Sequence, residues 1–432
     1  MLANVVFVLN KSIIKNPALA EKGRLKIEWA RSFMPVMELI RTKQLCKTKL
    51  KGVRIASILH LEAKTAVFLQ TLADSGTEIF ATSCNPETTQ DDVAAALAEH
   101  PQITVYAWRG ESESDYWKNI RRVLLSKPDI IIDDGADGII YAHEKLSGVI
   151  SQLIGATEET TTGITRIKAL SEHGMLRIPV IGVNEGKMKF LFDNRYGTGE
   201  SSVFGLLNAT NLTIAGKNAV VVGFGWVGKG IAKRLRGMGA RVIICEVDPI
   251  KAVEAYMEGY RIMRLIDAVK VADFVITATG VNKVVRKEHI LEAKNRCIFA
   301  NSGHFNVEID LEDLNEVTTS KKKTRYFGLP YNDFLVEEYR LINGKVVYLL
   351  GKGRLVNLVC GQGHATEIMD LSFSLQFLSI LYLIDHKDDL EPKLYSVPGD
   401  IDDMVARLKL ESLGIQIDSL SAEQRAYIKR FK

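Results

Sequence analysis

The sequence predicts an α/β chain: two doubly wound, Rossmann-like domains with parallel sheets and a small C-terminal tail. Three observations predict it. Short β-branched runs alternate with helical stretches in both halves, the pattern of a parallel sheet covered by helices on both faces. A glycine-rich turn stands between a buried-type strand and a helix near residue 223. The length of 432 residues allows two to three domains at about 100–200 residues each.

In chain order, apolar residues at helical spacing over 28–41 are followed by a strand at 53–59 and a helix at 63–73. Strands at 78–81, 104–107 and 130–132 complete the first unit. The second has strands at 218–222, 241–245, 274–277, 297–300 and 346–350, with a helix over 230–237. A helical stretch over 368–383 is expected to return to the first unit. The expected division is 1–195 plus 363–396, then 196–362, then a tail over 397–432 that serves oligomerisation.

Bulk properties exclude several classes. With 56 basic and 52 acidic residues the net charge is +4, too balanced to imply nucleic acid. The densest basic run, 321–323, reads as a solvated loop. Five cysteines (Cys46, Cys84, Cys245, Cys297 and Cys360) are an odd number, widely spaced and without CxxC. That argues against a disulfide framework and a cysteine zinc site, and favours a reduced cytoplasm with no metal centre. The apolar run 2–9 lacks a basic flank and a cleavage site, so no signal peptide is read. No stretch approaches 18 apolar residues, so no transmembrane helix is expected.

Gly223, Gly225 and Gly228 form GxGxxG directly after the strand over 218–222. The first glycine permits the tight turn, the second lets the backbone approach a pyrophosphate, and the third lets helix and strand pack closely. The helix N-terminus then offers amide protons and a positive dipole end to the phosphates. Glu246 ends the next strand, 23 residues beyond Gly223. A carboxylate there accepts from a ribose 2′-hydroxyl and repels a 2′-phosphate, which selects NAD over NADP.

The first unit also carries polar clusters at strand ends: His60, Glu62 and Lys64; Asp133, Asp134 and Asp137; Glu158, Glu159 and Thr160–Thr162; Lys189, Asp193 and Asn194. Ligands in open α/β sheets bind at the carboxyl ends of strands. Each cluster alone also reads as a cap, a turn or a satisfied core histidine.

Taken together, the phrases SILHLEAKTA (57–66), TSCNPETTQDD (82–92), VYAWRGE (105–111), IIDDGAD (131–137), EETTTG (158–163), KFLFDNRYGTGES (189–201), VVGFGWVGKG (221–230), GHFNVEID (303–310), GRLVNL (353–358) and GQGHATEIM (361–369) resemble the S-adenosylhomocysteine hydrolase family. The resemblance covers about residues 25–428. It implies net hydrolysis of S-adenosyl-L-homocysteine to homocysteine and adenosine: 3′ oxidation with one tightly bound NAD, loss of the 4′ proton with expulsion of homocysteine, water addition at C5′ and re-reduction. It places Lys189, as base, and Asp193 at the 3′-hydroxyl, a role that asks for a depressed lysine pKa. Glu159 then binds the sugar hydroxyls, Asp134 and His60 handle protons at the 5′ side, and His304 lies at the 3′ region beside the nicotinamide. The substrate set adds Glu62, Lys64, Thr65, Met369 and His364, the last near the hinge. The NAD set is Thr160, Thr161, Thr162, Asn194, Gly223, Gly225, Trp226, Val227, Gly228, Glu246 and Asn357. A homotetramer is implied, without nucleic-acid or membrane partners.

The sequence departs from the family pattern in several places. Thr198 stands where the family usually has cysteine, Ala136 where it has glycine, and Ala365 where it has proline. About eight extra residues within 317–345 read as a surface loop, since loops tolerate insertion. The chain stops at Phe431 and Lys432, shortly after Tyr427, so a family segment that reaches a neighbouring protomer's NAD is expected to be missing. Two other readings remain open at this stage: a net NAD-dependent dehydrogenase and a catalytically silent regulator. The substrate base is open as well. Lys64 stands where a carboxylate or amide would accept from an adenine amino group. An ammonium only donates, so it suits the hypoxanthine carbonyl of S-inosyl-L-homocysteine, unless it simply pairs with Glu62.

Overall fold

The computed structural model describes residues 6–9, 11–43, 49–324 and 335–430; Cys46, the start of the 2–9 run and the last two residues lie outside them. The first sheet runs in the order Phe7–Leu9, Ser12–Ile14, Ile103–Ala107, Glu78–Thr82, Arg54–Ile58, Ile130–Asp133, Gly155–Glu158, Val180–Gly182, Leu394–Ser396. Its first pair is antiparallel, and its other described pairs are parallel. Chain order reverses on either side of Arg54–Ile58, which opens a crevice at the carboxyl ends of the central strands. Ile130, Ile131 and Ile132 are fully buried, as befits a parallel strand covered on both faces.

The second sheet runs Arg261–Ile262, Arg241–Cys245, Asn218–Val222, Phe274–Thr277, Ile298–Asn301, Val346–Leu350, Val336–Leu341, Thr318–Thr324. Its first six strands are parallel, and its last two form an antiparallel edge. Lys321–Lys323 therefore sit in an edge strand and not in a loop. Lys321 and Lys322 pair with Glu337 and Glu338 on the next strand. Lysines suit an edge because they discourage further pairing. The extra residues of 317–345 fall in this hairpin, with 325–334 outside the described residues.

The helix expected over 28–41 is two helices, Ala20–Ser32 and Pro35–Thr42. Pro35 cannot supply an interior helical N–H, so it starts the second one. The carboxylate of Asp370, on helix Thr366–Asp385, caps that start by accepting from Val36 N at 3.0 Å and Met37 N at 2.9 Å. Helix Thr366–Asp385 is long and apolar enough by composition to cross a membrane, a test that the core helix of a globular domain also passes. It is the core helix of the first unit, with 78% of its most apolar window buried. Helix Gly399–Ser412 buries Ile401, Val405 and Leu408 in the same core. The first part of the 397–432 tail is thus built into the first unit. Its Asp402 accepts from Lys187 N and Met188 N, both at 2.8 Å, which fixes the turn that carries Lys189.

Candidate active site

The carboxyl ends of both sheets face one cavity of about 880 Å³. From the first unit it is lined by His60, Glu62, Lys64, Thr65, Asp134, Glu159, Thr160, Thr161, Thr162, Lys189, Asp193 and Asn194. From the second unit and the returning segment come Gly225, Trp226, Val227, His304, Asn357, His364 and Met369. Gly223, Gly228 and Glu246 do not line it; they shape the turn behind it. Gly223 adopts φ +96°, where a side chain is strained, and a Cβ on Gly228 would lie 1.9 Å from Gly223 O. Around Gly225 the space is open. The Glu246 carboxylate accepts from Phe224 N at 2.6 Å and from Val247 N and Asp248 N, which fixes it at the end of its strand.

One end of the cavity is an ionic network. Phe190–Gly197 is a π-helical turn, a wide form that recurs at functional sites. Lys189 Nζ there donates to Asp193 Oδ1 at 3.0 Å and to Asn194 Oδ1 at 2.9 Å, and lies 3.7 Å from Glu159 Oε1. Asp193 Oδ2 accepts from Ser372 Oγ at 3.0 Å and lies 3.1 Å from His364 Nδ1. His364 Nε2 meets Thr198 Oγ1 at 3.0 Å. Burial works to raise the Asp193 carboxyl, but His364 and Lys189 hold it well below the usual range. Burial works to lower the Lys189 ammonium, but Asp193 and Glu159 outweigh it, and its pKa is raised. The depressed lysine expected from the sequence is therefore not what this arrangement gives: the carboxylates around Lys189 keep it protonated. Glu159 moves the other way, pushed up to about 8 by burial against the pull of Lys189.

The other end is looser. His60 Nε2 lies 3.5 Å from Asp134 Oδ2, and His304 Nδ1 lies 3.5 Å from Asp134 Oδ1. His60 Nδ1 meets Thr88 Oγ1 at 2.8 Å, which orients the ring. Burial pushes His60 down to about 4 and lowers His304 too, so both rings are neutral at neutral pH. Burial also raises Asp134, against the pull of His304. His304, assigned by resemblance to the 3′ region, thus joins the His60–Asp134 group. The ligating atoms of these three residues all lie within 4.8 Å of one another, a spacing a metal ion also accepts, although no sequence motif points to one. Ala136 has φ +63°, the left-handed conformation that explains why glycine is the usual residue there.

The residues fit a dinucleotide. Both amide atoms of buried Asn357 lack any hydrogen-bond partner, an unmet demand inside the cavity that a polar ligand satisfies. Sequence reasoning missed several lining residues, among them Asn184, Thr279, Ser302 and Arg166. Asn184 Nδ2 donates to Thr161 Oγ1 at 2.8 Å. Arg166 donates to Gly135 O and to Asp137 Oδ1, the latter at 2.7 Å. None of these stands in a local motif, and only the closed fold brings them to the cavity.

Fold and site together define an enzyme that sets a dinucleotide-binding unit against a pocket of buried proton-transfer groups. Residues 11–149 match the sequence model described as S-adenosyl-L-homocysteine hydrolase, and residues 194–363 match the one for its NAD binding domain. The chain is 52% identical over 419 residues to the S-inosyl-L-homocysteine hydrolase of Methanopyrus kandleri, covering 97% of each chain. It is 50% identical to the adenosylhomocysteinase of Sulfolobus acidocaldarius, over 97% of this chain and 98% of that one. A solved dipicolinate synthase structure from Bacillus halodurans, 14% identical with TM-score 0.50 over 78% of this chain and 99% of that chain, shares the fold. The chain belongs to the S-adenosyl-L-homocysteine hydrolase family. It is a hydrolytic enzyme, and its cofactor is NAD.

Proposed function

We propose that this enzyme cleaves the thioether of an S-nucleosyl-L-homocysteine, releasing homocysteine, and that inosine is the nucleoside it prefers. The observation that carries the preference is at Lys64. Its Nζ lies 2.7 Å from Glu62 Oε2 and donates to Gln362 O at 3.0 Å. Glu62 caps its helix, with Oε1 accepting from Thr65 N at 3.3 Å and Oε2 from Lys64 N at 3.1 Å. Both Glu62 oxygens are therefore engaged. Of the three ammonium protons, one has no acceptor among the described residues, and it suits a hypoxanthine carbonyl. An adenine amino group there would set donor against donor, at roughly 1–3 kcal/mol or about ten- to a hundredfold in preference. The adenosine compound is the second reading, favoured by the remaining lone pair on Gln362 O, which can accept from an amino group. The test is kcat/KM for thiol release from both compounds in wild type and Lys64→Gln. A preference for the inosyl compound that shrinks in the variant supports the reading. A preference for the adenosyl compound, unchanged in the variant, removes it.

A bound NAD, held by the Gly223–Gly228 turn, Glu246, Asn357 and the Thr160–Thr162 loop, would supply reversible hydride chemistry at the 3′ carbon. Lys189, Asp193 and Glu159 hold the sugar hydroxyls, and Lys189 receives the 3′-hydroxyl proton. Held as an ammonium, it does so only after releasing a proton of its own, and ionised Glu159, 3.7 Å away and made basic by its raised pKa of about 8, is the group placed to take it. At the 5′ side His60, Asp134 and His304 deliver a proton to the leaving sulfur and take one from the incoming water. A net dehydrogenase would need no such second set.

Assembly and compartment belong to the same reading. Past residue 412 the chain exposes Leu413, Ile415, Ile417, Leu420, Tyr427 and Ile428, an apolar arm suited to packing on another copy in a homotetramer. Cys84, Cys245, Cys297 and Cys360 are free, buried thiols, which suits a reducing cytoplasm.

A further inference from the structure

Asp133 and Glu158 end neighbouring parallel strands as register partners. Both are wholly buried, and the proposed reaction uses neither. Their hydrogen bonds differ. Asp133 spends both oxygens on backbone donors, Oδ1 on Asp134 N at 2.9 Å and Oδ2 on Ile139 N at 2.8 Å. Glu158 spends one. Its Oε1 accepts from Gly135 N at 2.9 Å and from Thr160 N and Thr160 Oγ1, both at 2.8 Å. Its Oε2 is buried with no partner.

Two adjacent carboxyls without a cation do not both ionise. The charged group on this side, Arg166, is taken by Asp137 and Gly135 O. The other titratable groups facing the pair are Asp134, Asp137, Cys84 and Tyr116, and none of these brings a positive charge. Beyond them, His304 and Lys189 face Asp134. We infer that the pair shares one proton, that it resides on Glu158 Oε2, and that Glu158 works as a neutral carboxylic acid tying the Asp134 loop to the Glu159–Thr162 loop. The bonding pattern selects the site: a proton on Asp133 would sit on an oxygen already facing an N–H, whereas Oε2 of Glu158 is free to carry it. Burial pushes both groups up, Asp133 to about 7 and Glu158 well above its usual range. Glu158 is thus a positioning residue: through Gly135 N and Thr160 it sets the spacing between the 5′ acid and the sugar-binding carboxylate. The catalytic part of this inference rests on the proposed reaction; the protonation part does not.

The variant that tests it is Glu158→Gln, made in the NAD-loaded enzyme. Its carbonyl oxygen accepts the same donors, and its amide N–H replaces the acid O–H. Its kcat/KM is expected within about fivefold of wild type, whereas Asp133→Asn, which turns a donor toward a backbone donor, loses about a hundredfold. The second readout is melting temperature against pH, without substrate. A carboxyl whose folded pKa is raised stabilises fully below its unfolded pKa, and that contribution is lost as pH rises through the folded value. Wild type therefore loses stability as pH climbs from about 4, where the unfolded carboxyl ionises, toward the raised folded value of Glu158, and Glu158→Gln loses less. A wild-type pH slope in Glu158→Gln overturns the protonation. A tolerated Asp133→Asn beside a crippled Glu158→Gln moves the proton to Asp133 and overturns the assignment. If wild type releases no thiol from either nucleoside compound, the proposed reaction fails while the pH slope still decides the protonation.

Discussion

The two ends of the cavity are built from the same residue types and organised in opposite ways. At the Lys189 end Asp193 is engaged on both oxygens and its pKa is driven down, while Glu159 beside it keeps both oxygens without a hydrogen bond, 3.7 Å from Lys189. At the Asp134 end the contacts to His60 and His304 are 3.5 Å long, Oδ1 has no hydrogen bond, and both imidazoles are neutral. The difference matches what each end is proposed to do. Hydride transfer needs a fixed sugar, so a pinned Lys189–Asp193 pair beside the unpartnered Glu159 oxygens, which sugar hydroxyls can fill, suits it. Elimination and water addition move protons in both directions, so groups near neutrality suit that end.

Removing one group from each end puts the contrast under the greatest strain. Lys189→Ala and Asp134→Ala are both expected to lose about 10²–10⁴-fold in turnover, the usual worth of a positioned proton-transfer group. They should fail at different steps. Lys189→Ala forms no enzyme-bound NADH when substrate is added, whereas Asp134→Ala does, seen as absorbance that rises and stays. Bound NADH in Lys189→Ala, or its absence in Asp134→Ala, reverses the two assignments.

A second difference is thermodynamic. The folded pKa of His60 is depressed to about 4 against about 6.5 unfolded. Its neutral form therefore contributes stability that is present above pH 6.5 and is lost as pH falls toward 4. The full effect is about 3 kcal/mol. Thermal melts of wild type and His60→Gln across that window check it: the variant is expected to lose less on acidification. Equal slopes would mean that His60 is not held neutral.

The loose end also depends on a close approach between the two units. Gly135 has φ +102°, and a Cβ there would lie 2.5 Å from His304 Nε2. Gly135→Ala is expected to displace His304 from Asp134 and lower kcat/KM about ten- to a hundredfold, with NAD still bound. Unchanged kinetics would show that His304 is not held at this spacing during turnover.

Legibility in the sequence divides along the same line. The strands Asn218–Val222, Arg241–Cys245 and Phe274–Thr277 lie where apolar runs and the glycine turn put them, because the glycine roles are local steric demands. Gly155–Glu158 and Val180–Gly182 were not legible: three- and four-residue strands carrying Gly, Thr and Glu have no period of their own, and neighbouring strands impose their shape. Thr318–Thr324 hid for a related reason, since a lysine-rich edge strand and a solvated loop share a composition. The polar clusters were visible at strand ends, but their partners were not. Asp134 meets His304 and Asp193 meets His364 across more than 160 residues, and no spacing rule connects them. The raised pKa of Lys189 belongs to this class too, because it follows from how many carboxylates converge and not from which motif holds the lysine.

The smallest expected effect concerns a residue that departs from the family pattern. Thr198 stands where cysteine is usual, and its Oγ1 lies 3.0 Å from His364 Nε2, while His364 Nδ1 faces Asp193 Oδ2. An ionised aspartate only accepts, so Nδ1 carries a proton. A hydroxyl both donates and accepts, so Thr198 can serve Nε2 in either protonation state and keep the ring aligned on Asp193. Thr198→Ser keeps that hydroxyl and is expected to be close to wild type. Thr198→Val keeps the shape and loses the hydrogen bond, about 1 kcal/mol or roughly fivefold. The loss should fall on the rate of bound NADH formation, measured in a single turnover, because it loosens the Asp193 end alone. A Thr198→Val enzyme with a normal oxidation rate but slow thiol release would place His364 at the other end of the cavity and dissolve the division between them.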